Sequence, residues 1–289
     1  MVQVDPVFHI DTGDVEWLEP EAGFELTPNT LSVSREYQAE KLSAAGLEPS
    51  VFGDTVDPSF FIGIGIQAGI RSGISAEGNV NMVQRLIQSR PVRLGEVLTV
   101  RGRIEYVREV PRGQTVETSV TFEDASGAVV IDASRMSLRP DPDKGARRGA
   151  GERPPPVVPD PALAHVLGEH RLTPERVKSY SMEGNSIHYE EEAARRAGFR
   201  APMIGGGMGV HFLAALLWSR GGPRSRGTPR ALDLSIYFRR PIFWDEHFTS
   251  AVLGEPDDPR SWKGLCLLRD EGDSGLKVLT EASIQSLSV

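Results

Sequence analysis

Two stretches of the chain are apolar on nearly every side. Residues 58–70, reading Pro-Ser-Phe-Phe-Ile-Gly-Ile-Gly-Ile-Gln-Ala-Gly-Ile, have the composition of a buried segment, and their glycines leave helix and strand both open. Residues 208–218 read as a helix buried all round. Elsewhere the apolar positions alternate. Residues 98–107 and 115–122 switch between apolar and polar at period two, the mark of strands with one covered face. Ser126-Gly127 reads as a turn into a further strand at 128–138, and residues 231–238, 248–253, 265–268 and 276–287 read as strands too. Ser34 is placed to cap a helix running to about Ala45, with Gly46 as its stop. Thr173-Pro174 opens another helix, with Thr as cap and Pro at the first helical position. Residues 190–198 form a short polar helix ending in glycine.

These elements fall into two sets. Residues 139–161 are dominated by proline, glycine and charge and read as an exposed linker. They divide the chain into residues 1–140, a linker at 141–161, and residues 162–289. The halves share an order of elements. Residues 84–99 lie over residues 234–249, so that Arg90-Pro91-Val92 meets Arg240-Pro241-Ile242 and Glu96 meets Glu246. Pro58 sits where Pro202 does. Each half is then one helix surrounded by an antiparallel sheet, an α+β unit.

Composition narrows the function. A chain of 289 residues, 39% hydrophobic, holds one large core or two ordinary ones. A net charge of −8 argues against general nucleic-acid binding, although local arginine clusters can still meet a polyanionic ligand. The single cysteine, Cys266, forms no disulfide framework or cysteine metal cluster and suits a reducing cytoplasm. Neither a signal peptide nor an apolar run approaching ~18 residues is present, so a cytoplasmic protein without a membrane span is expected.

Chemistry concentrates at one place. Glu183, Asn185 and His188 lie within six residues, and Pro202-Met-Ile-Gly-Gly-Gly-Met208 follows at the head of the second apolar segment. An acid, a base and free backbone N–H groups are what proton transfer beside a carbonyl requires. The remaining histidines get plainer readings. His9, His165, His170 and His247 read as structural, and His211 as a core histidine in preference to a pocket residue. The glutamates at 190–192 read as a solvent face and not as a metal site with His188. Gly63 and Gly65, and the glycines of 205–209, lack the strand–turn–helix context of a dinucleotide fingerprint.

These residues resemble the MaoC-like (R)-specific enoyl-CoA hydratases and dehydratases, the hydratase 2 family, in a tandem (double) hotdog form. The family signature, Asp-x-Asn-Pro-aliphatic-His followed by Pro-aliphatic-x-His-Gly-Met, is matched by Glu183-Gly-Asn185-Ser186-Ile187-His188 and by Pro202 to Met208. Its later aromatic-x-x-Pro-aliphatic strand motif is matched by Phe238-Arg-Arg-Pro241-Ile242. The family's aspartate is here Glu183, and its proline is Ser186. The resemblance implies a hydro-lyase that moves water across the C2=C3 bond of an enoyl or 3-hydroxyacyl thioester of coenzyme A or a carrier protein. Glu183 and His188 would share the proton work and Asn185 would orient the water or the carboxylate. The N–H of Gly206, with Gly207 as its neighbour, would stabilise the enolate oxygen. No cofactor or metal is implied beyond the thioester substrate. The first half, lacking the motif, would shape the acyl pocket with Phe60, Phe61, Ile62, Ile64 and Ile66, unless these are ordinary core. Arg195, Arg196 and Arg200, or Arg224, Arg226 and Arg230, or Arg239 and Arg240, would hold the phosphates. A homodimer of such chains is expected. The alternatives are an acyl-thioester thioesterase on the same fold and a non-catalytic acyl-thioester-binding protein.

Overall fold

A computed structural model describes residues 5–6, 16–144, 154–181, 185–220 and 229–288. His9, Glu183, Arg224 and Arg226 lie outside the described residues. The strands are β1 (Asp5–Pro6), β2 (Asn29–Ser32), β3 (Val80–Gln88), β4 (Leu98–Val110), β5 (Gly113–Glu123), β6 (Val129–Asp132) and β7 (Arg135–Pro140) in the first half. The second half contributes β8 (His165–Arg171), β9 (Ala231–Phe238), β10 (His247–Leu253), β11 (Gly264–Asp270) and β12 (Leu276–Ser288). The helices are α1 (Arg35–Ala45), α2 (Phe60–Arg71), α3 (Pro174–Ser181), α4 (Glu191–Arg196) and α5 (Gly206–Arg220).

Local chemistry accounts for the helix ends. Ser34 Oγ accepts from the Tyr37 N–H at 3.1 Å, and Gly46 closes α1 in the left-handed region at φ 82°. The segment at 58–70 is a helix, α2. Its glycines permit close packing: a Cβ on Gly65 would already touch Val120 at 3.4 Å. The strand expected at 128–138 is broken into β6 and β7. The Ser134 N–H bends back to Asp132 Oδ1, and the buried Gln84 side chain donates to the Ser134 carbonyl from β3.

The strands form one twelve-stranded sheet in the order β1-β2-β4-β5-β6-β3-β9-β12-β11-β10-β8, with β7 continuing β6 beside β3 and β5. Each half therefore runs through the same order of strands, and the halves join edge to edge at β3 and β9. Arg85 stands opposite Ser235 there, flanked by Gln84 opposite Ile236 and Leu86 opposite Leu234. The duplicated segments equate Gln84 with Leu234 and Leu86 with Ile236, so this register is symmetric about the Arg85–Ser235 pair. The α2 and α5 helices are wrapped by their own half-sheets and bury apolar side chains almost all round. A single core runs through both halves, from Phe61 and Phe122, 4.7 Å apart, to Phe212 and Phe248, 5.0 Å apart.

Candidate active site

His188 lies on a 3-10 turn, Ser186–His188, that follows α3. Its Nδ1–H donates to the Met203 carbonyl at 2.8 Å. A carbonyl can only accept, so the proton of the neutral ring resides on Nδ1, and the Nε2 lone pair has no partner among the described residues. That nitrogen faces the start of α5: a Cβ on Gly205 would lie 3.5 Å from it. Burial holds the imidazole below its ordinary pKa, opposed by the Met203 bond and the Glu77 carboxylate. The group is thus poised as a neutral base.

The three glycines serve three neighbours. Gly205 leaves room for the His188 ring. At Gly206 a Cβ would collide with Phe238 Cζ at 2.8 Å. Gly207 lets α5 pass close to α2, its Cβ position falling 3.8 Å from the Gly63 backbone nitrogen. The first N–H groups of a helix have no intrahelical acceptor. Gly206 and Gly207 occupy this first turn, and both line the cavity.

Residues from the first half complete the loop around His188. Asn185 accepts from the Gly78 N–H and donates to the Asn79 carbonyl, both at 3.2 Å. One amide hydrogen and one lone pair remain for other use. Ser186 donates its N–H to Glu77 Oε2 at 3.1 Å and its hydroxyl to Glu77 Oε1. Proline, the resembled family's residue here, offers neither donor.

A second polar chain crosses the halves under α5. Asp57 Oδ2 accepts from His211 Nδ1 at 2.7 Å, and His211 Nε2 meets the Tyr180 hydroxyl at 2.6 Å. His211 is fully buried, as expected of a core histidine, yet it touches Tyr180, which lines the cavity. The sequence offered one clue, an aspartate directly before Pro58 and an apolar helix.

The cavity, about 350 Å³, is walled by both halves. Phe60 and Ile66 line it, whereas Phe61, Ile62 and Ile64 are packed in the core. Three of the arginines expected to meet phosphate are engaged elsewhere. Arg195 and Arg196 pair with Glu191 and Glu192 along α4, and Arg200 pairs with Asp245 and Glu246. The Arg230 N–H donates to Ser288, away from the cavity lining. Arg239 and Arg240 do line the cavity. Arg239 is held by Glu281 and the Pro154 and Pro155 carbonyls, while the guanidinium of Arg240, an exposed residue, donates to the Val278 carbonyl. Arg112 and Arg135 of the first half join them in the lining; no spacing in the sequence marked either one.

No protein-family model and no curated protein matches this chain. Solved structures do resemble it. HtdX from Mycobacterium tuberculosis superposes with a TM-score of 0.67 at 21% identity, over 89% of this chain and 98% of that one. A MaoC-like dehydratase from Phytophthora capsici gives 0.65 at 17% identity, over 91% and 95%. A further M. tuberculosis protein, described as having a double hotdog fold, gives 0.59 at 14% identity, over 92% and 96%. The chain is a double hotdog. Its two hotdogs differ where the chemistry lies. Matching Pro58 to Pro202 sets Gln67 against His211 and Asp57 against Ala201, so the Asp57–His211 bond has no counterpart in the other hotdog. Among the described residues, only the second hotdog brings a histidine to the start of its central helix.

Proposed function

We propose that this protein is a hydro-lyase that adds or removes water across the C2=C3 bond of an enoyl or 3-hydroxyacyl thioester. The observation that carries the reading is His188 Nε2, unbonded among the described residues, beside the glycine start of α5 in a cavity walled by both halves. In dehydration, His188 Nε2 takes the proton from C2. Charge then develops on the thioester oxygen, where the Gly206 and Gly207 N–H groups and the positive end of α5 stabilise it. The hydroxide at C3 leaves with a proton supplied by the Glu183 carboxyl. Hydration runs through the same groups in reverse. Asn185 ties the His188 turn to the first half and so sets the distance between base and helix. The solved structures of MaoC-like dehydratases share the fold, which agrees with this chemistry. Coenzyme A or a carrier protein would supply the thiol, its phosphate meeting Arg240 and Arg112 at the cavity.

The test is the ultraviolet absorbance of the enoyl thioester across a panel of enoyl-CoAs. Turnover with no release of free thiol is expected, and His188→Ala should lower it by about 10²–10⁴-fold. Thiol release would instead indicate a thioesterase. Full activity in His188→Ala would remove the site assignment.

A further inference from the structure

The polar atoms that the fold leaves unsatisfied are concentrated in one place. Asn79 Oδ1, Asn81 Oδ1, Ser181 Oγ and Arg135 Nη1 are buried without a hydrogen-bond partner, and all four residues line the same cavity. Arg135 is the most unusual of them. The other arginine drawn well into the fold, Arg239, is matched by a carboxylate, Glu281. Among the described residues Arg135 has no ion pair and no side-chain hydrogen bond. Desolvation alone acts on it, pulling its pKa down to about 10, which still leaves it charged at neutral pH. A desolvated guanidinium without an anion is unfavourable, and such groups persist where a ligand supplies the missing partner.

The position of Arg135 says which part of a ligand that would be. Its Nη2 lies against α2 at Gly69, 3.6 Å from the site of a Cβ there. Gly63, on the same helix, adjoins Gly207 at the start of α5. Six residues of helix separate Gly63 from Gly69, about 9 Å along the axis. The guanidinium is therefore set back from the proposed oxyanion site, on the first-half side of the cavity that Arg135 and Gly207 both line.

We propose that Arg135 binds a carboxylate carried by the acyl chain, so that the favoured substrates are thioesters of dicarboxylic acids. The proposal rests on the hydro-lyase reading for its reaction and on the unpaired guanidinium for its substrate class. A planar carboxylate matches the guanidinium fork with two parallel hydrogen bonds. A plain alkyl chain would leave that fork empty, which is how a polar site rejects an analogue lacking the polar group.

Initial rates with an enoyl-CoA and with its ω-carboxylated counterpart of equal chain length test this. The wild type is expected to prefer the carboxylated substrate in kcat/KM by ~10-fold or more. Arg135→Met should bring the ratio near one, and Arg135→Lys should keep part of it. Arg135→Met should also raise the Tm of the ligand-free protein, because an unpaired, half-buried charge with a buried Nη1 is gone. A wild type without preference overturns the proposal. So does an Arg135→Met variant that loses activity equally on both substrates, which would place a coenzyme phosphate at Arg135. If neither thioester turns over, the hydro-lyase reading fails, and Arg135 is then tested by adipate alone. A Tm increase with adipate in the wild type, absent in Arg135→Met, supports the carboxylate site, and no increase overturns it.

Discussion

The Asp57 carboxylate and the His211 imidazole meet at 2.7 Å where neither side chain has any solvent exposure. One belongs to the turn before α2, the other to the middle of α5, so the bond ties the two central helices. Asp57 Oδ1 also accepts the Ser59 N–H at 2.9 Å. Truncation of Asp57 strands a buried ring N–H and a backbone N–H at once. We expect Asp57→Ala to cost about 3 kcal/mol in urea unfolding. In the double variant with His211→Phe the loss should fall short of the sum of the single losses, because the second change removes the stranded ring donor.

Two helical glycines should respond in opposite directions to the same substitution. A Cβ on Gly63 meets nothing within 4 Å, so Gly63→Ala removes the glycine penalty and should stabilise by about 0.5–1 kcal/mol. A Cβ on Gly206 meets the Phe238 ring at 2.8 Å. Gly206→Ala must shift the ring or the helix start, and should cost about 1–3 kcal/mol together with a fall in kcat. Thermal melts and initial rates on the two variants check the contrast.

Ser186 marks a contact between the halves on the turn that carries His188. Ser186→Pro removes both of its donors to Glu77, and Glu77→Ala removes the acceptor. Each should cost about 1 kcal/mol in stability, since Glu77 is largely exposed. Because His188 is two residues along, kcat/KM should fall further than stability alone explains. An unchanged kcat/KM in both variants would show that the clamp does not position the turn.

Acid should weaken the fold through a half-buried histidine. Burial pushes the His170 imidazole down to about 4 from 6.5, with Ser250 at 2.9 Å and the Phe212 and Phe248 rings around it. Between those two values the unfolded chain takes up a proton that the folded chain refuses. Stability is therefore intact above pH ~6.5 and is lost as pH falls toward ~4, by up to about 3 kcal/mol. Urea midpoints should follow this slope in the wild type and flatten in His170→Gln. The lowered pKa of His188 has the same sign for activity: it stays a base below the ordinary imidazole range, so the acid limb of kcat/KM should lie below pH ~6.5.

Local signals in the sequence were read well. Ser34 and Gly46 frame α1, and the alternation at 115–122 became β5, because caps and period-two patterns are settled by near neighbours. The segment at 58–70 stayed ambiguous because complete burial erases periodicity. Edge strand β8, His165–Arg171, carries polar residues on both faces and gave no alternation to see. The approach of His188 to Gly205 was legible because both residues fall in one short motif. Glu77, Asp57 and Arg135 were not, since they come from the other half, far away in sequence. Glu183 lies outside the described residues.

The pairing of β3 with β9 carries a consequence for biosynthesis. One edge of β3 pairs with β6 and β7 inside the first half, but its other edge finds its partner only when residues of the 230s have been made. Until then the first half leaves the ribosome with a bare strand edge, open to a neighbouring nascent chain. Swapping between two chains would satisfy that edge equally well and rebuild the same cavity from two polypeptides. The linker before the second half therefore sets more than spacing. By keeping the matching edge tethered at high effective concentration, it favours closure within one chain over exchange between two.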